Sequence, residues 1–145
     1  MSKRARVVAA ARTWLGTPFH HHAQVRGAGV DCLNLLAAVY TTCGLIEPPE
    51  IPDYTQDWHI HHGTPRFLDA VLRYADLLPE GETPQPGDIV MFVYGRHAAH
   101  GAIVVDWPVV IHAWRDVGQV VMTEADTGPL AARFAGAYRM RGIDA

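Results

Sequence analysis

The hydrophobic pattern of this chain changes once, near Asp88, and that change limits the folds open to it. Before this point, apolar residues recur at helical spacing in three segments separated by turns rich in Gly and Pro. After it, short apolar runs alternate with tight turns, which is typical of an antiparallel sheet. This order predicts an α+β fold in which N-terminal helices pack on an antiparallel β-sheet.

Caps, glycines and prolines indicate where the predicted elements begin and end. Three helices are predicted, over 3–15, 31–42 and 65–78, and the proline-rich stretch 47–63 is typical of an irregular surface loop. Strands are predicted over 88–94, 101–105, 109–113, 120–123 and 137–141. The inner faces of the first and third helices are expected to comprise Val7, Val8, Ala11, Trp14 and Leu15, and Phe67, Leu68, Val71, Leu72 and Ala75.

Length and composition limit the class of protein. The 145 residues suit one domain with a sizeable core, so we predict a single domain over 1–145. A formal net charge of −3, with no broad basic excess, argues against nucleic acid as the main partner. No apolar run is long enough for a signal-peptide core or a membrane span. We therefore expect synthesis in the cytoplasm and no membrane partner.

The chain has two cysteines, Cys32 and Cys43, which are too few for a disulfide framework. If both lie on the second helix, they are separated by about three turns and cannot pair. Two free thiols and a reducing compartment are therefore expected. Cys43 precedes Gly44, a helix stop, and is interpreted as a packing residue.

Cys32 is a candidate nucleophile because it falls in the first turn of the second helix, after the Gly-rich loop 25–30. Unpaired backbone N–H groups and the positive end of the helix dipole favour a thiolate there. The alternative is a small buried hydrophobic residue. The preceding Asp31 is interpreted as the helix N-cap or as a residue that tunes the thiolate.

Two histidines are candidates for a base and the group that orients it. His100 precedes one predicted strand and His112 lies in the next, so a hairpin centred on Trp107 places them nearly opposite one another. Facing Cβ atoms on paired strands lie about 4.5–5.5 Å apart, which lets the two imidazoles hydrogen-bond. The alternative for His100 is a polar residue at the edge of a strand, and the alternative for His112 is an ordinary hydrogen-bonded histidine in the sheet. His97 is interpreted as a loop residue near the cleft.

The remaining histidines form two dense runs, at 20–22 and 59–62. Zinc prefers three or four ligands on a rigid frame, and adjacent loop residues rarely converge on one ion. No HExxH or paired CxxC motif accompanies the two runs. We expect solvated loop histidines near a substrate groove, with no metal site and no cofactor.

Five motifs in order resemble the NlpC/P60 family of cysteine peptidases, and within it the short single-domain members found in phage tails and gene transfer agents. The similarity runs from about Val7 to Tyr138. The motifs are Trp-Leu-Gly-Thr-Pro-Phe-His-His at 14–21, Gly-Ala-Gly-Val-Asp-Cys-Leu at 27–33, Gln-Pro-Gly-Asp-Ile-Val at 85–90, His-Gly-Ala-Ile at 100–103 and Ile-His-Ala at 111–113.

The resemblance implies a papain-like fold with Cys32 as nucleophile, His100 as general base and His112 as the orienting residue. It also implies hydrolysis of stem-peptide bonds in bacterial cell-wall peptidoglycan, next to a D-amino acid. For the phage-tail type it implies tail proteins as partners and delivery within a virion or tail particle. The alternatives are a catalytically silent structural tail-tip protein, and a thiol amidase or acyltransferase acting on another substrate.

Two departures from the family pattern concern the substrate-binding or oxyanion residues. Phe19 stands where many members have a Tyr whose hydroxyl is linked to the active site, and His20 or His21 is the expected substitute. Leu33 and Asn34 replace a small residue and a Gly, so a bulkier helix start is expected to narrow the groove. Asp31 is also assigned to this group. Neither departure changes the thiol or the two imidazoles.

Overall fold

The computed structural model describes residues 1–51 and 66–145, and within these ranges four helices accompany eight strands. The helices are α1 (Lys3–Arg12), α2 (Cys32–Thr42), α3 (Arg66–Leu72) and α4 (Gly128–Ala131). The strands are β1 (Gln24–Val25), β2 (Gly29–Val30), β3 (Ala75–Leu77), β4 (Ile89–Tyr94), β5 (His97–Asp106), β6 (Val109–Trp114), β7 (Gln119–Glu124) and β8 (Phe134–Met140). No helix among the described residues is long and apolar enough to cross a bilayer.

Helix α1 begins at a serine cap and ends earlier than predicted. The Ser2 hydroxyl accepts a hydrogen bond from the Ala5 N–H at 3.0 Å. The helix ends at Arg12, and the chain then turns to Gly16, whose φ of +85° suits glycine. Leu15 is therefore 40% exposed, and its assignment to the inner face is wrong. Val7, Ala11 and Trp14 are buried as predicted.

Helix α3 is also shorter than predicted, because the chain after it joins the sheet. The predicted helix 65–78 ends at Leu72, and residues 75–77 form β3, which pairs with β8. Phe67, Val71 and Ala75 are buried as expected, but Leu72 is 43% exposed. The predicted loop over 47–63 lies mostly outside the described residues, and its first five residues form no helix or strand.

Six strands form one antiparallel sheet in the order β3-β8-β4-β5-β6-β7, while β1 and β2 form a separate two-stranded sheet. Strand β5 begins at His97, four residues before the predicted start. His97 is therefore a strand residue that pairs with Tyr94, and its assignment to a loop is wrong. A bulge follows at Ala99, because Phe92 pairs with His100 and Val93 with Ala98.

The sheet carries a core on each face, because successive side chains in a strand point to opposite sides. Residues such as Met91 and Ile103 belong to the larger core, which includes buried residues of α1, α2 and α3. Phe92 and Ala102 belong to a smaller core on the other face, which includes Leu130 of α4. His100 pairs with Phe92 and so lies on that second face of the sheet.

Candidate active site

Asp31 caps α2 and holds Cys32 as its first residue. The Asp31 carboxylate accepts hydrogen bonds from the backbone N–H of Asn34 at 2.9 Å and from the N–H of His22 at 2.7 Å. It also accepts one from the Asn34 side-chain amide at 2.9 Å. The structure therefore shows the predicted N-cap. Asn34 is buried and its side chain is bonded to the cap.

The environment of the Cys32 sulfur favours the neutral thiol. Burial, with a smaller contribution from the nearby Asp31 charge, raises the pKa of Cys32 to about 12. The backbone N–H groups of Leu33, Cys32 and Gly101 act in the opposite direction but are outweighed. The expectation of a thiolate at this helix start is therefore wrong for the free protein, because desolvation and a like charge exceed the effect of the helix dipole.

His100 and His112 form a hydrogen-bonded pair, as the hairpin argument predicted. His100 Nε2 lies 2.7 Å from His112 Nδ1, and the ring centroids are 5.0 Å apart. The pairing of Ile103 with Ile111 offsets the two histidines by two residues along the ladder, so their rings meet on a diagonal. Both side chains are buried, and His112 has no exposed surface.

Thr123 of β7 extends this pair to a third strand. Its Oγ1 lies 3.1 Å from Nε2 of His112. His112 pairs with Val121, so Thr123, two residues further along β7, lies on the same face. Thr123 was not among the residues predicted from the sequence. The signal that could have found it is a hydroxyl residue at this alternate position of a neighbouring strand.

Burial keeps both imidazoles neutral near pH 7. It lowers the pKa of His112 to about 4. It also lowers the pKa of His100 well below 6.5, and the charges of His112 and Arg115 act in the same direction. In the free protein a neutral thiol and two neutral imidazoles are therefore the stable forms.

Aromatic side chains enclose the histidine pair, and the sequence analysis did not identify them. The ring centroid of Tyr94 lies 5.5 Å from that of His100, and the centroid of Trp114 lies 4.9 Å from that of His112. The Trp114 indole N–H donates to the Tyr94 hydroxyl at 3.3 Å, and the Arg133 guanidinium lies 4.2 Å above the Tyr94 ring. These groups limit the access of water to the imidazoles.

Gly101 brings α2 close to β5 beside His100. A Cβ at this position would lie 3.0 Å from the Phe67 ring and 3.1 Å from a Leu36 methyl group, so only glycine fits without movement. The Gly101 N–H acts on the Cys32 sulfur, which places the thiol beside the residue that follows His100. Among the described residues, no hydrogen bond joins the sulfur to either imidazole.

Three of the predicted substrate-binding residues lie on the loop before β1. Phe19 packs against the larger core, and its N–H donates to the Gly118 carbonyl at 2.8 Å. His20 is exposed, with Nδ1 3.2 Å from the His21 carbonyl oxygen. His21 is partly buried, and its ring centroid lies 6.0 Å from that of His22. Within 1–51 and 66–145, no hydrogen bond links Phe19 or His20 to Cys32 or His100.

Among the described residues, neither a metal cluster nor the apolar cavity beside α3 coincides with the histidine pair. In the part of the chain that the structure describes, no group of three or more His, Cys, Asp or Glu residues could hold a metal ion. The run 59–62 lies outside it. A mostly apolar cavity of about 320 Å³ is lined by Leu33, Tyr40 and residues of α3, but not by Cys32, His100 or His112.

No protein-family model matches this chain, and no curated protein matches its sequence. Solved structures do match. An NlpC/P60 family protein from Bacillus cereus has a TM-score of 0.68 and 20% identity, and the match covers 94% of this chain and 40% of that one. The NlpC/p60 domain of the peptidoglycan hydrolase SagA has a TM-score of 0.62 and 19% identity, over 94% of this chain and 98% of that domain.

This chain has the NlpC/P60 fold. The α+β prediction is thereby confirmed, with helices and a six-stranded antiparallel sheet arranged as in those structures. A third protein with the NlpC/P60 fold is RipD of Mycobacterium tuberculosis, a non-catalytic NlpC/p60 domain protein adapted to peptidoglycan binding. It has a TM-score of 0.60 and 12% identity, over 98% of both chains. This chain spans only 40% of the length of the Bacillus cereus protein.

Proposed function

We propose that this chain is an NlpC/P60 cysteine peptidase that hydrolyses stem-peptide bonds of cell-wall peptidoglycan, with Cys32, His100 and His112 as its catalytic triad. The observation that carries the proposal is the buried imidazole pair, bonded at 2.7 Å, next to the residue whose N–H acts on the Cys32 sulfur. A nucleophile, a base and a group that orients the base are what acyl transfer through a thiol requires.

Proton transfer is the first step, because the neutral thiol is the stable form in the free protein. His100 uses Nε2 to bond His112, so Nδ1 is the nitrogen left to take the thiol proton. Catalytic hydrogen bonds are often long in a free enzyme and shorten when substrate binds, so the missing bond between sulfur and imidazole is compatible with this step.

The Cys32 sulfur then forms a bond to the substrate carbonyl carbon, and the carbonyl oxygen takes the negative charge. The Asn34 N–H is bonded to Asp31, so the N–H groups of Cys32 and Leu33 remain at the helix start to stabilise the oxyanion. One such donor contributes about 2.7–4 kcal/mol to transition-state stabilisation.

Collapse of this intermediate breaks the C–N bond, and the His100 imidazolium gives its proton to the leaving amine. A thioester remains on Cys32. His100 then takes a proton from water, whose oxygen attacks the thioester, and the sulfur leaves as the thiol after proton return. A free carboxylate is the second product.

Digestion of purified cell-wall sacculi tests the proposal. The unmodified protein is expected to release muropeptides, and mass spectrometry of the fragments identifies the bond that is cut. Cys32→Ala is expected to release none, whereas the control Cys43→Ala retains activity because Cys43 caps the far end of α2. Release of muropeptides by pure Cys32→Ala protein would falsify the proposal.

Peptidoglycan binding without turnover is the second candidate function. The raised pKa of Cys32 and the missing bond between sulfur and imidazole favour it, and RipD has a non-catalytic domain of this fold. Co-sedimentation with sacculi separates the two candidates. Binding by the unmodified protein with no fragment released supports the second.

We further propose that the protein acts as a component of a phage tail or gene transfer agent. The resemblance of the five sequence motifs to short members of that type supports this setting. Mass spectrometry of purified particles from the host is the test, and the chain is expected among the tail proteins.

A further inference from the structure

Both nitrogens of the His112 imidazole have partners inside the protein. Nδ1 lies 2.7 Å from His100 Nε2, and Nε2 lies 3.1 Å from the Thr123 hydroxyl. His112 has no exposed surface, so its polar atoms depend on these two partners. Any change at one nitrogen therefore affects the other.

A neutral imidazole carries one N–H, which allows two proton arrangements along this chain of groups. In the first, His100 Nε2–H donates to His112 Nδ1, and His112 Nε2–H donates to Thr123 Oγ1. In the second, all donors are reversed, so that the Thr123 hydroxyl donates to His112 and His112 Nδ1–H donates to His100 Nε2. His100 then carries its own proton on Nδ1.

Only the first arrangement leaves His100 Nδ1 able to accept a proton. The Cys32 sulfur lies near three backbone N–H donors, those of Leu33, Cys32 and Gly101. The thiol can therefore still donate its S–H proton to an acceptor. An unprotonated Nδ1 on His100 is the acceptor that matches this donor. In the second arrangement Nδ1 of His100 already carries a proton and cannot take one from the thiol.

We propose that Thr123 is a positioning residue that selects the productive tautomer of the His100–His112 pair by accepting the N–H of His112. This inference rests on the proposed function for its catalytic meaning. Thr123 is partly exposed, so its own O–H can turn to solvent while its oxygen accepts from the buried ring. Each N–H or O–H of His100, His112 and Thr123 then donates in the direction that leads away from the thiol and towards solvent.

Removal of the hydroxyl reverses this preference. With valine at position 123, an N–H on His112 Nε2 would be buried without an acceptor, which is costlier than a bare nitrogen facing a methyl group. The proton therefore moves to Nδ1 of His112, and the proton of His100 moves to Nδ1. The base is then in the wrong tautomer to accept the thiol proton.

Nitrogen NMR of protein with ¹⁵N-labelled histidine tests the proposal directly, because it reports which ring nitrogen carries the proton. At neutral pH, the unmodified protein and Thr123→Ser are expected to carry the proton on Nε2 of both rings. Thr123→Val is expected to carry it on Nδ1 and to hydrolyse sacculi about tenfold more slowly, with Thr123→Ser restoring the rate.

Thr41→Val is the matched control, because the Thr41 hydroxyl is buried and has no hydrogen-bond partner among the described residues. It is expected to change neither the tautomer nor the rate. If Thr123→Val does not fold, Thr123→Ala removes the same hydroxyl and is examined in the same way.

An unchanged tautomer in the variant without the hydroxyl overturns the proposal, as does a failure of Thr123→Ser to retain the tautomer of the unmodified protein. The tautomer is measured without substrate, so an inactive unmodified protein would refute the proposed function and leave the role of Thr123 to be decided by the spectra.

Discussion

The start of α2 and the ladder of β5, β6 and β7 hold the two halves of the proposed site in different ways. The cap at the helix start joins Asp31 to Asn34, three residues along the chain. The ladder joins His100 to His112 and His112 to Thr123, which are 12 and 11 residues apart, through strand pairing. The imidazole half is already hydrogen-bonded in the free protein, whereas the thiol has no bond to a ring.

This difference indicates that the two regions have separate roles in the proposed site. In the proposed mechanism, the ladder prepares a base in a defined orientation, and the helix start supplies a neutral nucleophile together with oxyanion donors. Substrate binding would then complete the site by bringing thiol, carbonyl and imidazole into contact. A substitution in one region is therefore expected to alter the property that this region contributes and to leave the other region unchanged.

Among changes that keep the thiol, the largest effect is expected from the loss of the His100 imidazole. His100→Gln removes the base and is expected to slow sacculus hydrolysis by roughly 10²–10⁴-fold, the usual contribution of a positioned general base. His97→Gln is the matched control on the same strand, because Nε2 of His97 has no hydrogen-bond partner in the described part of the chain. Equal rates for the two variants would show that His100 is not the base.

A smaller effect is expected on stability in acid. Because burial lowers the pKa of His112 from 6.5 to about 4, the unfolded chain binds the proton first. The stabilising contribution is therefore complete above about pH 6.5 and is lost as pH falls towards 4, by roughly 3 kcal/mol in all. His100, whose pKa is also lowered, acts in the same direction.

Denaturant unfolding at a series of pH values measures this loss. His112→Phe replaces the titrating ring by one of similar shape, so its unfolding free energy is expected to change less across the same window. If the unfolding free energies of both proteins changed equally with pH, burial of a neutral imidazole at this position would be contradicted.

The smallest effect is expected from removing only the charge beside the thiol. Asp31→Asn removes the second contribution to the raised pKa of Cys32, so iodoacetamide should alkylate Cys32 faster at a given pH. The cap is largely retained, since asparagine is an equally good N-cap, and the cost in unfolding free energy is expected to be about 1 kcal/mol.

The alkylation is followed in Cys43→Ser protein, so that Cys32 is the remaining thiol. Asp126→Asn, a change of the same kind on an exposed turn, is the control and is expected to leave the rate unchanged. If Asp31→Asn also leaves the rate unchanged, the carboxylate does not influence the thiol.

The sequence predicted the α+β fold, the Asp31 cap and the histidine pair because each leaves a local signal. The hydrophobic periodicity changes near Asp88, and an acidic residue precedes the helix that begins at Cys32. His100 and His112 lie at similar distances along the chain from the turn between their strands. The early ends of α1 and α3 were missed. Apolar spacing continues through Leu15 and Ala75, but Gly16 turns the chain and β8 offers hydrogen bonds to β3.

Sequence by itself determined which groups are present and in what order: a thiol after a helix cap, then two imidazoles spaced for a hairpin. Only the tertiary structure decided their chemical state. Burial raises the pKa of Cys32 and lowers that of His112, and a third strand brings Thr123 to the ring. Desolvation and strand register depend on residues distant in the chain, and no local pattern encodes them.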